Sequence, residues 1–227
     1  TMVLMGAVYM AINSTQRHSS AIERKVAAQQ DVKPALDLMA MEIGMASYNP
    51  SFTAPGSLWV VAPTTGAVGA CVNFGTAAYK GMQEVTASSI TVEMDICGTG
   101  TASDGIVGAV GSSGGRNEII RYNYDTVNEY ITRSTNCGGA QPFLGDVPAN
   151  PRAVRVINNT LNIPLFRYYD GVGTEITSAD LPAGIPNIRR INITLAVETE
   201  NVDPNTNQRR RLVYSTSVIP RNHAISF

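Results

Sequence analysis

One apolar periodicity runs through the first 47 residues and changes surroundings halfway along. Thr1 to Ile12 (TMVLMGAVYMAI) carries no charge, and from Asn13 the chain turns polar, with Arg17, His18, Glu23, Arg24 and Lys25 close together. Apolar residues nevertheless return at Ile22, Val26, Val32, Leu36, Met39 and Ile43. Steps of three and four place side chains on one stripe of a helix, and this series is read as such a stripe. No glycine falls between Ala7 and Ile43, and Pro34 is the only proline there. A helix of about 45 residues reaches about 68 Å at ~1.5 Å per residue. A domain of this size is shorter, so part of the helix is expected to protrude into another medium or against a partner.

The uncharged head is shorter than the ~20 residues that span a bilayer. No basic flank precedes it and no small-residue cleavage site follows, so it does not read as a secretory leader. The expectation is a chain that starts inside a hydrophobic segment. Residues 1–12 would be the remnant of a membrane or filament-core segment, and 13–47 an amphipathic helix under a domain formed by 48–227. Pro34 predicts a kink near Gln30, or a second helix capped by Asp31 with the proline in its first turn. Tyr48-Asn49-Pro50 is a stop.

After residue 88 the signals become those of strands. SITVEMDI (89–96) alternates Ile90, Val92, Met94 and Ile96 against Thr91, Glu93 and Asp95. NEIIRYNYD (117–125) and EYITRSTN (129–136) flank a turn at Thr126-Val127-Asn128. VRVINNTLNIPLFRYYD (154–170) is strand material broken by Pro164, and IRRINITLAVETEN (188–201) with RLVYSTSVIP (211–220) forms a closing hairpin. SLWVVAP (57–63) and Ala70 to Phe74 are weaker strand candidates in a long loop over 50–88, and GGAQPFLGDVPANPR reads as a linker. One helix, a long loop and then antiparallel strands make an α+β fold, with the sheet on one face of the helix.

Net charge is −1, so no charge surplus points to nucleic acid. Three cysteines are present, none in a CxxC, with two histidines. That is too few for a zinc framework. In an oxidising compartment Cys97 with Cys137 is the favoured disulfide, since each ends a strand and precedes glycine; pairings through Cys71 remain open.

Three segments resemble the PilW-like minor pilins of type IV pili and the related J-type pseudopilins of type II secretion. KPALDLMAMEIGMASYNP resembles the end of their first helix, with Met41-Glu42-Ile43-Gly44 where "RDIR" usually stands. LFRYYDGVGTEIT resembles their "FxYxDxxG" turn, and RRINITLAVETENVDPNTNQRRRLVYSTSVIPRN their closing hairpin. The resemblance covers roughly half of the chain and leaves 50–116 unmatched. It implies a type IV pilin-like fold and a structural subunit that helps initiate and cap a pilus, without enzymatic activity or cofactor. The implied partners are other minor pilins and the major pilin, held through N-terminal helices. The implied location is the bacterial inner membrane, with a periplasmic domain, and then the extracellular filament. The alternatives are a J-type pseudopilin and, from another class, a soluble extracytoplasmic binding protein whose helix is only a packing element.

Within this reading Met2, Leu4, Met5, Val8 and Ile12 form the assembly or membrane face. Ile22, Val26, Leu36, Met39 and Ile43 pack under the sheet. Catalytic signals are poor: His18 and His223 lack a neighbouring nucleophile motif, and Gly98-Thr99-Gly100 is not followed by a third glycine at Ser103. Asp203, Asn205 and Asn207 open like a calcium loop, but Gln208 and Tyr214 stand where Gly and Glu belong. Asp95 and Asp104 flank a Gly-rich loop that could hold a cation. No metal or small-molecule substrate is expected. Arg209-Arg210-Arg211 is the densest positive run; it is read as a solvated hairpin end or a salt-bridge partner for a neighbouring subunit, with DNA capture the weaker alternative.

Overall fold

The computed structural model describes residues 2–50, 59, 79–96, 118–136, 138–145, 147, 154–203 and 206–224. The helical periodicity becomes α1, one helix over Met2–Gly44 that contains Pro34 within it. The alternative of two helices is not realised. A proline inside the helix, about three turns from its C-terminal end, removes one backbone donor, and buried Val32, Ala35, Leu36 and Met39 hold both sides of it to the domain.

Two antiparallel sheets follow rather than one. The first is a meander of β1 (Met82–Val85), β2 (Ser89–Glu93), β3 (Ile119–Asp125), β4 (Tyr130–Thr135) and β5 (Gln141–Leu144). The second contains β6 (Val154–Val156), β7 (Phe166–Tyr169), β8 (Glu175–Ile176), β9 (Arg190–Asp203) and β10 (Gln208–Val218), in the order β10-β9-β7-β8. The loop expected over 50–88 thus holds β1, and the stretch read as a linker holds β5. Both are four-residue strands. So short a run shows no period by itself and is fixed by its neighbour's open edge. The strands expected at 57–63 and 70–74, and both members of the Cys97–Cys137 pair, lie outside the described residues, apart from Trp59, which is buried.

The long strand β9 organises the second sheet. One edge pairs with β10 from Ile191 opposite Val218 to Asp203 opposite Gln208. The other edge is shared: Phe166 to Tyr169 pair with Ile193 to Arg190, and Val154 to Val156 pair with Thr199 to Val197. Between them the chain detours through 157–165, and Asn158 fills the gap. Its amide nitrogen donates to Thr194 O (2.7 Å) and Ile163 O (3.2 Å), while its oxygen accepts from Ala196 N at 2.8 Å. A buried side-chain amide so replaces a rung of the ladder, which keeps buried backbone groups of β9 satisfied.

One core joins the helix to both sheets: Val32, Leu36, Met39 and Ile43 of α1 pack with Val92 and Ile120 of the first sheet and Ile193, Leu195 and Val218 of the second. The end of α1 is also tied electrostatically. Glu42 accepts from Arg133 Nε at 3.0 Å and from the Tyr122 hydroxyl, joining the last helical turn to β3 and β4. Burial first, and then the Glu42 carboxylate, push the Tyr122 hydroxyl well above its ordinary value, so it stays a donor. Gly81 has φ +79°, and an added Cβ would stand 3.1 Å from Ser47 Cα. Glycine here allows the chain after α1 to close against β2, where Ser47 N donates to Glu93 O at 2.8 Å.

Candidate assembly surface

The two halves of α1 meet different surroundings. Its C-terminal half is core: Val32, Met39 and Ile43 are fully buried and Leu36 nearly so. The N-terminal half carries Met5 (73% exposed), Tyr9, Met10 and Ile12 (53% exposed) in the open. The side chains of Met2, Leu4 and Val8 lie outside the described residues, although their backbone belongs to α1. Among the described residues no helix is long and apolar enough to cross a membrane.

Ile22 and Val26 correct an expectation. The apolar spacing places both under the sheet, and they are 62% and 43% exposed. The reason is phase. Six residues separate Val26 from Val32, and six steps of ~100° leave the two about 120° apart on the helix. The stripe therefore breaks there. What faces the domain above the break is small, with Ala28 fully buried and Ala21 half-buried. Arg24 donates to Val202 O at the tip of the β9–β10 hairpin, and Ala21 lies beside Thr199 and Asn201 of the same hairpin. Ile22 and Val26 thus belong with Met5 and Ile12, on the side turned away from the domain.

The arginine run is internally balanced. Glu198 lies 3.5 Å from Arg209, 3.6 Å from Arg211 and 3.9 Å from Arg155. Glu200 lies 3.6 Å from Arg209, and Asp203 3.9 Å from Arg210. Adjacent strands place the acids of β9 beside the arginines of β10, so the run carries little uncompensated field toward a polyanion. Asp203 is engaged in this way as a strand residue, while Asn205 and Asp104 lie outside the described residues. Among the described residues no group of three His, Cys, Asp or Glu side chains is arranged to hold a metal ion.

The sequence did not reveal that His223 meets a serine. His223 Nδ1 stands 2.8 Å from Ser47 Oγ and 3.1 Å from Lys80 O, and Nε2 stands 2.8 Å from Ile185 O. Ser47 Oγ also donates to Lys80 O. The pair joins the helix end, the entry to β1 and the C-terminal turn over Arg221–Ala224. Both side chains are buried, so the arrangement fastens a junction instead of presenting a nucleophile. Burial lowers the imidazole below its ordinary value. In the same junction burial pushes the Glu93 carboxyl up to about 8, against a donated hydrogen bond from Gln83 at 2.7 Å.

The segment that carries the "FxYxDxxG" resemblance forms the β7–β8 hairpin. Asp170 Oδ1 accepts from Val172 N (3.0 Å) and Thr174 N (2.8 Å), and Gly173 takes φ +91°. Its Asp and Gly serve the turn. A comparison with models of known protein families finds no match, and comparisons with curated proteins and with solved structures find none either.

Proposed function

We propose that this chain is a PilW-like minor pilin, a non-enzymatic subunit that helps initiate a type IV pilus and sits at its tip. The observation that carries the reading is the division of α1. A helix whose C-terminal half is the core of an α+β domain continues past that domain with Met5, Tyr9, Met10, Ile12, Ile22 and Val26 exposed. Apolar surface of that kind on a free helix requires a partner. A bundle of like helices, reached from the inner membrane and ending in an extracellular filament, supplies one. Ile22 and Val26 extend the helix–helix contact beyond the head, to the level of the hairpin tip.

The test is co-purification of the full-length chain, tagged at its C-terminus, from its native host after mild solubilisation of membranes. Other minor pilins and the major pilin are the expected companions. Recovery with secretion-system subunits would move the assignment to a J-type pseudopilin. A soluble monomer with no such companions would overturn both in favour of a binding protein.

A further inference from the structure

Sheet edges are places where one chain can pair with another, and proteins blunt them by shortness, proline, bulges or charge. Most edges of this fold are blunted. β1 is four residues long with a register shift between Met82 and Glu84. β5 is four residues long, contains Pro142 and sits at a register shift against Ile131 and Thr132. β8 has two residues and β6 three.

β10 differs. Among the described residues it ends the second sheet, and over 11 residues it pairs with β9 alone. Its one register shift lies between Arg209 and Arg211, at the start. From Leu212 to Val218 (LVYSTSV) there is no charge, proline, glycine or bulge. Val213 is 57% exposed.

We propose that this edge pairs with the same edge of a second copy, antiparallel, about a two-fold axis at Ser215. Three features select the partner and the register. First, a two-fold centred on a residue sets even positions opposite even positions, so each sheet face continues into its counterpart. Leu212 then meets Val218 and Tyr214 meets Thr216 on the helix-facing side, while Val213 meets Ser217 outside. Second, centring on Ser215 uses all seven uncharged residues. Third, it puts the two arginine runs at opposite ends of the paired strands, where each is already neutralised by its own Glu198, Glu200 and Asp203.

The dimer has a directional consequence. Arg24 reaches Val202 at the tip of the β9–β10 hairpin, and Gly44 lies beside Val218 at the other end of β10. α1 and β10 therefore run the same way, and antiparallel β10 strands send the two apolar heads in opposite directions. Two copies paired in this way cannot both insert in one bilayer, so the pair is a state of the chain outside a membrane or filament. The inference does not rest on the pilin reading.

Cysteine cross-linking of the purified full chain in detergent tests it. In the proposed register Ser215 faces Ser215 of the second copy with Cβ atoms about 4.5–5.5 Å apart. The Ser217 positions are displaced by four residues, about 14 Å, beyond the ~7 Å that a disulfide bridges. Under mild oxidation Ser215→Cys should give a disulfide-linked dimer several-fold above the parent chain, which controls for Cys71, Cys97 and Cys137. Ser217→Cys should stay at the parent level. Adding Val213→Lys to the Ser215→Cys chain should return the cross-link to that level. Equal cross-linking at the two positions, no excess over the parent, or persistence with Lys at 213 would each overturn the proposal.

Discussion

Residues 5–26 and 28–43 belong to the same helix and differ in what surrounds them. In 28–43 Val32, Leu36, Met39 and Ile43 enter a core built by two sheets, with Met41 left outside it, whereas Met5, Tyr9, Met10, Ile12, Ile22 and Val26 stand in the open. The amino-acid types barely differ between the halves. What differs is the phase of the stripe and the place where the sheets end, so hydrophobicity alone does not assign a residue to folding or to assembly.

Charging the buried half should have the largest effect. Leu36→Asp places a carboxylate among Val32, Met39 and Ile193, and is expected to cost more than ~4 kcal/mol. Thermal unfolding should show loss of the domain, while Ile12→Asp keeps the parent melting temperature and loses co-purifying partners. Equal thermal loss in both variants would erase the distinction between the halves.

The junction beneath the helix end gives the comparison a pH axis. Glu93 is protonated in the folded state up to about pH 8, against an ordinary value of 4.5. Its contribution is complete below pH 4.5 and is lost as pH rises through 8, by on the order of a few kcal/mol. His223, held below its ordinary 6.5, acts in the opposite sense and penalises the fold as pH falls below 6.5. Denaturant midpoints should therefore decline between about pH 6.5 and pH 8, where Glu93 acts without the opposing term from His223, and level off above that, and Glu93→Gln should flatten that decline. An unchanged slope would show that another group titrates there.

Glu42→Gln is expected to cost about 2–3 kcal/mol, because Arg133 keeps its half-buried charge and loses its carboxylate. Urea titration reads the loss, and Arg133→Gln in the same chain should recover part of it. Smallest of all, Ile22→Ser and Val26→Ser should move stability by less than ~0.5 kcal/mol, while lowering recovery of helical partners. A stability loss in either of more than ~1 kcal/mol would return those residues to the core.

Much of this was legible from local pattern. Alternation in 89–96, 117–125, 129–136 and 188–220 marks strands, since a period of two needs no knowledge of the neighbour. The long helix and its exposed head follow from the apolar period and the absence of glycine. The phase break at Val26 to Val32 was also present in the sequence, in a six-residue step that fits neither helical spacing.

Other features had no local signal. Met82–Val85 and Gln141–Leu144 are strands because β2 and β4 offer them edges. Asn158 reads as one asparagine in a turn-rich stretch until β9 is laid beside it, and Ser47 meets His223 across 176 positions of chain. The arginine run reads as free positive charge until register sets Glu198 and Glu200 against it. The sequence by itself determined that residues 2–44 coil and that the long alternating runs extend, because those depend on side-chain period and backbone preference a few residues at a time. Which polar groups are neutralised, which carboxyl stays protonated and which strand, among the described residues, ends its sheet were decided only by tertiary structure. Burial and pairing are relations between residues far apart in the chain, and no local pattern encodes the distance between them.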